Sequence, residues 1–120
     1  MNFNGNYDII GFSQDLGLTV EEVSILYAEL INEINSALLE LNFLINKRDL
    51  VKIQKIIHNI KGVSGNYRIS DIYRETTKIN DALKNTNYTD FEKDLNALFH
   101  ISDMAIAEIK SFFKQRSIFI

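Results

Sequence analysis

The chain has 120 residues, 46% of them apolar and 24% charged, with 16 acidic against 13 basic side chains and a formal net charge of -3. That length suits one domain with a single core, and the acidic balance excludes a broad nucleic-acid surface, which needs clustered positive charge. With no cysteine and only two histidines, a disulfide framework, a thiolate zinc site and a histidine-rich metal cage are excluded as well.

The start, Met1-Asn2-Phe3-Asn4-Gly5-Asn6, lacks the basic and apolar runs of a leader peptide. No segment approaches the roughly 18 uninterrupted apolar residues of a membrane span. A cytoplasmic location without membrane contact is expected. Proline is absent, and apolar residues recur every three or four positions along nearly the whole chain, which predicts an all-α fold. A first short helix is expected from about Tyr7 to Leu16, with Ile9, Ile10, Phe12 and Leu16 apolar and Gly17 suited to a left-handed closing residue. Thr19-Val20-Glu21-Glu22 has capping-box spacing and should start a long helix. Its stripe is Val23, Tyr27, Leu30, Ile34, Leu38, Leu41 and Ile45, while Asn32, Asn35 and Ser36 predict a bend or a division into two abutting helices.

After the polar turn Asn46-Lys47-Arg48-Asp49, with Asp49 as cap, a third helix should run to Asn66 or Tyr67 on the stripe Ile53, Ile56, Ile60, Val63 and Tyr67. The next carries Ile69, Ile72, Tyr73, Thr76, Ile79 and Leu83 and starts near Arg68 or Ser70; Lys84-Asn85-Thr86-Asn87 breaks it. From Tyr88 or Thr89, the positions Phe91, Leu95, Leu98, Ser102, Ala105, Ile109 and Phe112 keep a heptad-like spacing. Short connections favour antiparallel neighbours, so the expected fold is an antiparallel up-down-up-down four-helix bundle with a short additional N-terminal helix. The apolar tail Ser117-Ile118-Phe119-Ile120 either folds back on the bundle or serves an assembly contact.

The third helix carries the one pattern that asks for a function. On that helix His58 lies roughly 200° from Ile56, so its imidazole should face water. Gln54, Gly62 and Gly65 fall within about 40° of it, and Lys55 and Lys61 flank it at roughly 60°. Glycine inside a helix costs roughly 1 kcal/mol relative to alanine, so two on the outward face suggest close approach by another molecule. An exposed imidazole has an unperturbed pKa near 6.5 and keeps a free lone pair at neutral pH, which makes it a nucleophile. If it attacks phosphorus, Lys55 and Lys61 are placed to offset the dianion, and Gly62 leaves room for it. His100, with Ala97, Asp103 and Met104 at helical spacing, has no such surroundings and is read as structural or surface.

The segment His58-Asn59-Ile60-Lys61-Gly62 resembles the His-x-x-Lys-Gly motif of histidine-containing phosphotransfer (HPt) domains. The likeness covers most of the chain, because the Asp15–Glu22 segment, the turn with Asp49 and the total length suit that family too. The resemblance implies that His58 accepts a phosphoryl group and exchanges it with an aspartate of a response-regulator receiver domain, with Lys61 stabilising charge. It also implies an upstream histidine kinase or hybrid kinase, no cofactor of the chain's own, and Mg²⁺ held by the receiver. Gln54, Lys55, Gly62, Gly65 and Arg68 are the expected docking residues, and a monomer is expected. Three positions depart from the family pattern: Arg68 stands where another glycine is common, Ile57 where a small residue precedes the histidine, and Val63 where a small polar residue follows the glycine. No Walker-type or Gly-x-Gly-x-x-Gly loop is present, so the chain should not phosphorylate itself from ATP. The rival readings are a helical receiver-binding module without transfer and a self-associating bundle.

Overall fold

The computed structural model describes residues 7–120 and is all-helical: α1 (Ile9–Leu16), α2 (Val20–Lys47), α3 (Leu50–Asn66), α4 (Ser70–Lys84) and α5 (Phe91–Lys114), with no strand among the described residues. Residues 1–6, read above for a leader, lie outside the described residues. α2 packs on α3, α3 on α4, α4 on α5, and α5 returns to α2, while α1 covers α2. The buried apolar side chains form one continuous cluster. No helix of the described residues is long and apolar enough to cross a membrane.

Local chemistry sets most of the helix ends. The Thr19 hydroxyl accepts from the Glu22 amide at 3.0 Å while the Glu22 carboxylate accepts from the Thr19 amide at 2.9 Å, so the capping box forms. Asp49 accepts from the Lys52 amide at 3.2 Å and starts α3. Four helices close in a common geometry, on a residue of positive φ: Gly17 (70°), Arg68 (60°), Thr86 (51°) and Ser117 (60°). In each, the next amide reaches five residues back: Leu18 to Ser13, Ile69 to Ser64, Asn87 to Ala82 and Ile118 to Phe113, all at 2.8–2.9 Å. These are Schellman closures, which satisfy carbonyls the helix end would otherwise leave open. Only the first uses glycine.

α2 runs unbroken over 28 residues, so Asn32, Asn35 and Ser36 do not divide it. All three are exposed, where their weak helix propensity costs a few tenths of a kcal/mol each and is outweighed by the buried face opposite. The stripe expected on α5 is buried at every position. On α3 the buried face is centred elsewhere. Ile53, Ile57, Ile60 and Ser64 are the deepest residues, whereas Val63 and Tyr67 are only half-buried. The face is thus turned by roughly 40° from the expected stripe. α3 lies between two neighbours and makes its most extensive contact with α4. Ile57 is therefore a core residue and does not bear on partner fit.

On α4, Tyr73 is 42% exposed rather than buried, and Asn80, one heptad on, is buried instead. In the tail, Ile118 and Ile120 pack against the core and Phe119 stays in solvent.

Candidate functional site

The first half of α3 is held by its Asp49 cap and its isoleucine face, which leaves His58 on the outer surface. Two open hollows meet at His58. The first, about 540 Å³, extends toward the C-terminal end of α3 and includes Lys61, Gly62, Gly65, Arg68 and Tyr73 in its lining. The second, about 450 Å³, lies against the N-terminal half, where Gln54, Lys55, Asn80 and Lys84 contribute. No carboxylate lines either hollow. In a chain with a net negative charge, that leaves local positive charge on both sides of the imidazole.

The residues expected at the site divide between these hollows and differ in what they do. Lys61 is half-buried, and its ammonium lies 5.9 Å from the centre of the Tyr73 ring. At that distance the ring face favours the cation. A side chain at Gly62 would meet nothing within 4 Å, so its clearance is open to another molecule. Gly65 differs: an added Cβ would lie 2.9 Å from Cδ1 of Tyr73. The bare backbone at Gly65 is already covered by the tyrosine, and its clearance serves the α3–α4 seam.

Arg68 turns toward α1. Its Nη2 donates to the Asp15 carboxylate at 2.5 Å, and its guanidinium carbon lies 5.4 Å from the centre of the Phe12 ring. The left-handed backbone at Arg68 also gives the physical reason a glycine suits this position. The side chain compensates by tying the α3–α4 turn to α1, so its charge is shared with Asp15 although it lines the first hollow.

Three residues at the site escaped the sequence: Tyr73, Asn80 and Lys84. Asn80 is the most informative. It is 1% exposed, and neither its Oδ1 nor its Nδ2 has a hydrogen-bond partner among the described residues. Burying an amide without partners costs on the order of 1–3 kcal/mol, and this one lines the hollow that His58 shares. The signal was present as a polar residue one position past Ile79, on the apolar face of α4. Among the described residues, no group of three or more His, Cys, Asp or Glu is placed to hold a metal ion.

No protein-family model, no curated protein and no solved structure matches the chain.

Proposed function

We propose that this chain is a histidine phosphotransfer protein of the HPt kind, carrying a phosphoryl group on His58 within a two-component phosphorelay. The observation that carries the reading is an exposed imidazole between two carboxylate-free hollows, with Lys55 and Lys61 lining one each and open backbone at Gly62. A neutral imidazole attacks the phosphorus of an aspartyl phosphate through its free nitrogen. The P–N bond forms as the P–O bond to the aspartate breaks, the electron pair returns to the carboxylate, and the ring proton stays on the other nitrogen. Reversal returns the group to an aspartate. Lys61 and Lys55 stabilise the dianion, and the lack of carboxylates nearby avoids repulsion.

The partner in this reading is a response-regulator receiver domain in the cytoplasm, which brings Mg²⁺ and the groups that polarise the acyl phosphate. An upstream histidine or hybrid kinase supplies the phosphoryl group. The carrier works as a monomer, with α2 to α5 as an antiparallel up-down-up-down bundle. In support of that topology, Gly65 faces Tyr73 and His58 shares a hollow with Asn80, so seven residues on α3 match seven on α4 in reverse order. Against the rival of a docking module without transfer stand Ile57, which is in the core, and Arg68, whose charge is met by Asp15.

Incubation with a phosphorylated receiver tests the proposal. Acid-labile, base-stable label is expected on the wild type and none on His58→Gln. Label that persists in the variant overturns the assignment of His58, and no label on either overturns the transfer reading.

A further inference from the structure

The second hollow has a composition that the phosphotransfer motif does not account for. It crosses the α3–α4 seam, and Lys84 of α4 faces it together with Lys55 and His58 of α3. Both lysines are exposed and neither takes part in a salt bridge found among the described residues. At its floor is Asn80, almost wholly buried with both polar atoms unpartnered. Two cations at the mouth, an amide with unused donors at the floor and no carboxylate between them suit a tetrahedral oxyanion. A cation ligand would meet two ammonium groups, and an apolar ligand would leave the amide without a partner.

We infer that Asn80, Lys84 and Lys55 form an oxyanion subsite that receives a phosphoryl dianion beside His58. Its occupant under the function proposed above, on which this step rests, is the group carried on His58; free phosphate shares the same chemistry. Asn80 donates to a phosphoryl oxygen and the two lysines meet its charge from either helix. The subsite thus places the carried group on the α4 side of the histidine and leaves the first hollow, with open Gly62, for the docking partner.

The side-chain amide resonance of Asn80 reports on the subsite directly. Inorganic phosphate titrated into the unmodified protein should move it saturably. Lys84→Gln should weaken the apparent affinity by roughly fivefold, a charge-assisted contact's worth, with Lys84→Arg restoring most of it. Lys52→Gln, on the same helix outside the hollow, should change nothing. A resonance that does not move, or moves equally in Lys84→Gln, overturns the subsite. In a second arm, phosphoramidate, a small-molecule donor that needs no receiver, phosphorylates His58. The Asn80 resonance should then stand near its phosphate-saturated position and cease to titrate. Continued titration as in the unmodified protein overturns the placement of the carried group. If no receiver labels His58, the transfer reading falls, while the phosphate arm still decides the subsite.

Discussion

The two glycines of α3 lie on one outward face, yet they answer to different neighbours. An added Cβ at Gly62 meets open space, and at Gly65 it meets the Tyr73 ring. Gly62→Ala should therefore stabilise the protein by up to about 1 kcal/mol through helix propensity, while slowing transfer from a receiver because the clearance is gone. Gly65→Ala should bring no such gain, since the ring must shift to admit the methyl group. Urea unfolding of the two variants checks the contrast; equal stabilisation would remove the distinction. Arg68 offers a second comparison. Arg68→Gly relieves a left-handed backbone, which costs roughly 1 kcal/mol in a non-glycine residue, and gives up an exposed ion pair worth about 0–1 kcal/mol. Arg68→Ala keeps the backbone cost and loses the pair and the Phe12 contact. The glycine variant should match or exceed the wild type in urea midpoint and the alanine variant should fall below it; the reverse order contradicts the account given for this turn.

At the scale of helices, the α3–α4 seam unites packing and site. Its register puts Tyr73 over Gly65 and Asn80 into the hollow at His58. An unpartnered buried amide is a standing cost, so Asn80→Leu, nearly equal in volume, should raise stability by about 1–2 kcal/mol. The same change should shorten the lifetime of phosphate on His58, measured by loss of label with time. A variant that is less stable than the wild type would show that Asn80 has packing or hydrogen-bonding value within the seam. The helix ends show how far local sequence reaches. Thr19, Asp49 and Gly17 act where their side chains or backbone freedom predict, because capping is decided within a few residues. Arg68, Thr86 and Ser117 take the left-handed role without glycine, and nothing local announces it. There the packing of the helix that follows imposes the turn.

For the molecule as a whole, the aromatic end of the core sets its alkaline limit. Tyr27 contacts Phe12, Tyr67 and Phe113, and its hydroxyl is raised well above its usual value near 10, chiefly by burial. Burial likewise raises Tyr7, reinforced by its bond to Asp71 at 2.8 Å, and Tyr67. Each of these groups keeps its proton in the folded chain after the unfolded chain has lost it. Above pH 10 the unfolded state binds fewer protons, so stability is complete below that pH and falls as pH rises beyond it. Tyr27→Phe should flatten the decline, seen in thermal unfolding between pH 9 and 12; an unchanged slope would mean that Tyr27 does not titrate in that window.

The amino-acid sequence by itself determined the all-α class, the five helical segments, the caps at Thr19 and Asp49, the buried stripe of α5 and the outward face that bears His58, Lys61 and Gly62. Those features depend on periodicity and on contacts a few residues apart, which the chain carries locally. Tertiary structure decided which flank of α3 is deepest, because that depends on lying between α2 and α4. It turned Ile57 and Ser64 inward, brought Tyr73 out over Gly65, tied Arg68 to Asp15, and placed Asn80 and Lys84 beside His58. Each of these joins residues from different helices, and the register between helices is set by side chains packing across the whole core.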